Sequence, residues 1–155
     1  LEIDFDAYLA NETPYMTTKQ IHDLVDRDFF IGSHSLDHAD FQSLSPVEQI
    51  HQAVESTRII TEQFGLPYQV FSCPFHNDHL SQDFFSAILD AGIQLSFGID
   101  GTLEDDIPYS LQRFNMESSG GFSAERLLAT YFAVRIIRRF LGKEKLLRPS
   151  RKTVP

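Results

Sequence analysis

Apolar residues along this chain follow two patterns that alternate: helical spacing over longer stretches, and short unbroken runs bounded by Gly or Pro. Residues 1–15 carry neither pattern and are expected to be irregular. Thr17 with Gln20 three positions on forms a capping box, and Ile21, Leu24 and Val25 give the helix behind it one apolar side. The run Phe29-Phe30-Ile31, closed by Gly32, predicts a buried strand. Ser45, Pro46 and Glu48 then mark a strong helix start. Val47, Ile50, Val54, Thr57, Ile60 and Phe64 continue it to Gly65 and Pro67. Gln69 to Ser72 predicts a second strand. Ser81 caps a third helix with Phe84, Phe85, Ile88 and Leu89 inward, ending at Gly92. Ile93 to Phe97 predicts a third strand, 101–110 a polar loop, and Leu111 to Met116 a fourth strand. A last long helix starts at Ser123 and stops at Gly142.

This order predicts an α/β fold with parallel strands. Chemistry in such folds gathers at the C-terminal ends of the strands, so a functional motif should follow a strand directly. The 155 residues suit one domain. No apolar run approaches the roughly 18 residues of a membrane span.

The formal net charge of -9 is unevenly spread. Eight of the 13 basic residues (Arg135, Arg138, Arg139, Lys143, Lys145, Arg148, Arg151, Lys152) fall after position 134, against the single acid Glu144. The acidic remainder would repel phosphates and excludes nucleic acid as a partner. The basic end is read as a solvated helix end and tail. The expected division is therefore 1–142 as domain and 143–155 as basic C-terminal tail. The lone Cys73 allows no intrachain disulfide and is read as a buried, unreactive thiol.

Of the six histidines, His34 and His38 fit the strand-end rule best. They lie four apart in a loop just after Phe29–Gly32, a spacing at which two imidazoles reach one ion if the segment turns helically. Taken alone the pair is weak, since two surface histidines share the pattern. His22 and His51 fall within helices and are expected at the surface.

The stretch Phe29 to Phe41 (FFIGSHSLDHADF) resembles the second motif of the polysaccharide deacetylases, the NodB-homology or carbohydrate esterase family four domain. The similarity continues through Met16–Leu24, Leu44–Ile50 and Phe64–Pro67. Phe71-Ser72-Cys73-Pro74-Phe75-His76 is similar to a third motif of the form Phe-Ala-Tyr-Pro-Phe-Gly. Residues 14–101 are covered in all. The resemblance implies a (β/α) barrel and hydrolysis of N- or O-acetyl groups on a polysaccharide or glycan. It also implies a divalent metal, zinc being the first candidate, with His34 and His38 as ligands and Ser35 at the hydroxyl position. Cys73, Pro74, Phe75 and His76 would wall the acetyl-binding groove. Asp100, in the Asp100-Gly101 turn pair, would take the catalytic role of an aspartate that orients neighbouring site residues.

Three departures bear on this. The family's opening Asp-Asp pair, which supplies a third ligand and the general base, is not found after an apolar strand. Its late histidine is absent, His79 being the last, and His76 replaces a Gly in the third motif. Since the chain starts at Leu1, the expectation is an incomplete barrel whose early strands are missing, inactive as this fragment. A second copy of the chain, a homo-oligomer, would cover the exposed edge. The alternative is a non-catalytic, deacetylase-like carbohydrate-binding module; a third reading is another metal amidohydrolase on a related barrel.

Overall fold

A computed structural model describes residues 4–12, 14–114 and 123–149. The chain divides into two units, Leu1–Ile31 and Gly32–Pro155. The first holds α1 (Phe5–Asn11) and α2 (Thr18–Val25). Helix α1 was not expected within 1–15. Its start signal is a single residue, Asp4, whose side chain accepts the Ala7 N–H at 3.0 Å. The Thr17 box at α2 forms as predicted: the Thr17 N–H donates to Gln20 Oε1 at 2.8 Å, and the Gln20 N–H donates to Thr17 Oγ1 at 3.3 Å.

The strand expected over Phe29–Gly32 does not form. Asp28 is left-handed (φ 63°), and the Phe29 N–H returns to the Leu24 carbonyl at 3.1 Å, so the start of the apolar run closes α2 instead. Phe30 is 82% exposed. What remains of the expected strand is one parallel bridge at the next residue, Ser33, to Phe71.

In the second unit α3 (Pro46–Phe64) begins with the expected Ser45–Glu48 box and ends at Gly65, left-handed at φ 60°. It turns Ala53, Ser56, Thr57 and Phe64 inward, whereas Val47 is 77% exposed. Strand β1 (Val70–Ser72), α4 (Gln82–Asp90) and β2 (Leu95–Gly98) follow. With β4 (Ser110–Gln112) the strands form a three-stranded parallel sheet in the order β1-β2-β4. The register pairs Phe71 with Ser96 and Phe97 with Leu111. The expected fourth strand runs on to Met116, of which 115 and 116 lie outside the described residues.

The core lies between α3, α4 and the sheet. Phe41, from a short 3-10 turn (Phe41–Ser43), is wholly buried against Phe71 and Phe84, with ring centroids 5.9 and 6.1 Å away. Each such ring contributes roughly 1.5–3 kcal/mol by leaving water.

Two segments read from sequence as loop and tail pair with each other. Strand β3 (Glu104–Asp105), inside the expected polar loop, runs parallel to β5 (Lys145–Leu146), inside the expected tail. Two-residue strands leave no periodicity to read. The basic segment is therefore part of the folded unit up to Pro149; 150–155 lie outside the described residues. Between β4 and β5, α5 (Ala124–Phe140) begins at the predicted Ser123 cap and is followed by left-handed Gly142. No described helix is long and apolar enough to cross a membrane.

Asp105 of β3 and Arg148, two residues past β5, form an ion pair whose side chains are 2% and 0% exposed. Burial alone would push the Asp105 carboxyl up, but hydrogen bonds and charge from Arg148 hold it below the ordinary carboxylate range. A depressed folded-state value stabilises the fold above that range and is lost as pH falls through it. The unfolding midpoint in urea is accordingly expected to fall as pH drops below about 4. Asp105→Asn should be less stable at neutral pH and decline less steeply; parallel curves for the two proteins would contradict this.

Gly98 closes β2 under two amide side chains. A Cβ there would lie 2.2 Å from Gln112 Oε1 and 2.4 Å from both amide atoms of Asn77. Gly98→Ala is expected to lower the unfolding free energy by about 1–3 kcal/mol. A loss below about 0.5 kcal/mol, within the range of a neutral surface change, would show that both amides move aside freely.

Candidate functional site

His34 is placed by its two predecessors. Gly32 lies so close to β1 that a Cβ would sit 2.7 Å from Val70 Cγ2. The Ser33 N–H donates to the Val70 carbonyl at 3.1 Å, and the Ser72 N–H donates to the Ser33 carbonyl at 2.9 Å. The Ser33 and Thr57 hydroxyls meet at 2.6 Å, and Thr57 donates to the Ala53 carbonyl at 2.7 Å. With the Thr57 proton so used, Ser33 is the donor between the two. The Gly32-Ser33 pair does not end a strand; it clamps the chain to both β1 and α3.

His34 then reaches back over β1, its Nδ1 2.7 Å from the Ser72 carbonyl oxygen. A carbonyl only accepts, so Nδ1 carries the proton and Nε2 keeps its lone pair in the neutral ring. Histidines that bind metals are held in this way, the non-ligating nitrogen donating to a carbonyl or carboxylate.

The link to His38 is not the helical turn considered from sequence. Ser35 and His38 are both left-handed, at φ 70° and 58°, and Ser35 Oγ accepts the His38 N–H at 2.8 Å. Gln52 of α3 accepts the Leu36 N–H at 2.9 Å. The two imidazoles nevertheless meet edge-to-face, centroids 4.8 Å apart. The His38 ring meets Phe75 in the same manner at 4.9 Å, and Phe75 is itself left-handed at φ 52°. Three of the four left-handed non-glycine residues among the described residues thus fall in one cluster. Each costs roughly 1–3 kcal/mol, and such strain collects at functional sites.

The loop after β1 separates its residues by depth. Cys73 and Pro74 are buried, while Phe75 is 51% exposed and the His76 side chain 62%. Burial pushes the Cys73 thiol up to about 12, against the opposing charges of Arg148 and Arg113. Asp100, two residues beyond β2, brings Oδ1 to 3.9 Å from His76 Nδ1. Its N–H donates to Gln112 Oε1 at 3.0 Å, and its carbonyl accepts the Leu103 N–H at 2.7 Å, so it is both a turn residue and the neighbour of His76.

Arg113 was not singled out from sequence. It directly follows β4, and its N–H and Nε both donate to the Gly98 carbonyl, at 2.9 and 3.1 Å. Its position just past a strand was the available signal. His22 and His51 are exposed on their helices as expected.

The Ser33 bridge and the ends of β1 and β2 thus present two paired imidazoles, an apolar ring and a His–Asp pair. His34 and His38 could fill two positions on a divalent ion. Among the described residues no group of three His, Cys, Asp or Glu side chains could hold one. Catalytic zinc sites use three protein ligands and an open position.

A family model described as polysaccharide deacetylase matches residues 5–95, more than half of the chain. The match includes His34, His38 and the Cys73–His76 loop and stops before Asp100. A comparison with curated proteins returns no match. Among solved structures, a de-N-acetylase from Aggregatibacter actinomycetemcomitans is similar at 12% identity, with a TM-score of 0.56, over 76% of this chain and 53% of its own. At that identity the likeness is one of fold, a mixed α/β arrangement with a parallel sheet. The chain spans about half the length of that structure.

A thiol held near 12 is protonated and enclosed at neutral pH. Cys73 is expected to resist iodoacetamide at pH 8 in the folded protein and to react readily in urea, as read by mass spectrometry. Its raised value favours the fold below the ordinary thiol range and ceases to do so as pH rises toward 12. Rapid alkylation of the folded protein would place the thiol at the surface instead.

Proposed function

The chain belongs to the polysaccharide deacetylase family, and on that footing we propose that the protein removes N- or O-acetyl groups from a polysaccharide or glycan, using a divalent metal, zinc first, held by His34 and His38. The observation that carries this reading is the His34–His38 pair, with the His34 tautomer set by the Ser72 carbonyl so that Nε2 is left to bind. When bound, the metal would polarise the acetyl carbonyl and acidify a water.

The residues of this chain do the rest by position. Phe75 gives the acetyl methyl an apolar wall, with Cys73 and Pro74 supporting it from behind. His76 gives a proton to the leaving group, and Asp100 orients its ring. A third ligand and a general base, which the described residues do not gather, would come from elsewhere in the protein. The parallel sheet then belongs to a (β/α) barrel of the deacetylase type, with the site at the C-terminal ends of its strands.

The test is acetate release from acetylated glycans by the intact protein, before and after chelation and with metal restored. Chelation should abolish release and zinc should return it. His34→Ala and His38→Ala should each lower the rate by about 100-fold or more, since even partners outside a metal's ligand set cost about 10–100-fold. A full rate in either variant would remove the pair from the mechanism. Glycan binding without acetate release would favour the alternative, a carbohydrate-binding module that lacks the chemistry.

A further inference from the structure

Arg148 is the one charged residue among the described residues that is buried as a whole, backbone included, at 5% exposure. It lies two positions past β5, outside the segment matched by the family model. Its guanidinium engages Asp105 with both arms, Nε to Oδ1 at 3.0 Å and Nη2 to Oδ2, and Nη1 donates to the Asn77 carbonyl. The Phe85 ring lies beneath it, its centroid 4.5 Å from Cζ.

These contacts lead to the site by two routes. Asn77 directly follows His76, so the Nη1 bond holds the loop that presents the imidazole. Asp105 Oδ2 also accepts from Gln112 Nε2 at 2.8 Å, and Gln112 Oε1 accepts the Asp100 N–H at 3.0 Å. One side chain therefore grips the backbone next to His76 and, through Asp105 and Gln112, the backbone of Asp100. Gly98 leaves room for the Asn77 and Gln112 amides that run between the two routes.

We propose that Arg148 is the positioning residue of the His76–Asp100 pair, setting the imidazole and the carboxylate against each other through the backbones it holds. The proposal rests on the deacetylase reading of the site. A buried ion pair is often no more stabilising than apolar residues of similar volume, so stability alone does not account for this one. A guanidinium fork does what apolar packing cannot: it fixes direction at several acceptors at once.

Arg148→Met alone would leave Asp105 buried and unpaired, so the informative variant is Arg148→Met with Asp105→Leu, made in the intact protein. Its thermal midpoint is expected within a few degrees of the parent's. KM for an acetylated glycan should change by less than about twofold. The turnover kcat should fall by about 10–100-fold, the scale of misplacing a reacting group by about 1 Å. Amide hydrogen exchange should quicken over 75–79 and 99–101 while α3 and β1 keep their protection. A parent-like kcat with parent-like exchange in both segments would overturn the proposal. So would a rise in exchange spread evenly over the unit, which is the mark of a merely structural role. If the parent itself releases no acetate, the deacetylase reading fails on its own account, and the exchange pattern still decides whether Arg148 holds the two segments.

Discussion

The parallel bridge between Ser33 and Phe71 is the contact on which the site depends. Through it the chain arrives at the sheet with only one residue in register, fastened by two backbone hydrogen bonds and a buried hydroxyl pair to Thr57. It also sets Ser72 beside His34, so the strand that receives the bridge supplies the carbonyl that fixes the imidazole. Neighbouring peptides of β1 thus serve both the bridge and the His34 imidazole. A displaced register would separate the two, because successive residues of a strand face opposite sides.

Features set by a few adjacent residues could be read from the sequence. The Thr17 and Ser45 boxes and the Ser81 and Ser123 caps mark helix starts that the structure keeps. The apolar runs at 69–72 and 93–97 became parallel neighbours, because each was flanked by a helix long enough to cross back over the sheet. Phe29–Ile31 carried an equally good strand pattern and failed. A strand is made by its partner, and here left-handed Asp28 folds the run's start back onto α2. The β3–β5 pair and the buried Arg148 were illegible for a related reason. Their order comes from a contact between residues 105 and 148, and no local pattern records it.

That His34 and His38 lie together was legible in the sequence, and the geometry that joins them was not. The strand-end rule and the motif resemblance pointed to His34 and His38. Neither foretold that two left-handed residues, rather than a helical turn, bring the rings together. Ser35 shows why this is hard to read. Glycine is the residue that φ 70° favours, yet glycine has no hydroxyl to accept the His38 N–H. Serine takes the strain and in exchange ties the backbone of the second imidazole to the residue beside the first.

That exchange bears on how the cluster keeps its shape. His38 and Phe75 are strained residues on separate loops whose rings pack against each other, so each restricts the other's escape to ordinary backbone angles. Phe75 is half exposed, and two residues on in the same loop Asn77 is held beneath Gly98's open face and on the Arg148 guanidinium. Rigidity therefore enters the site from two directions, through Ser33 on the imidazole side and through Asn77 on the loop side. The two meet at the His38–Phe75 contact, where the side chains are exposed enough to reach a ligand and the backbones beneath them are held.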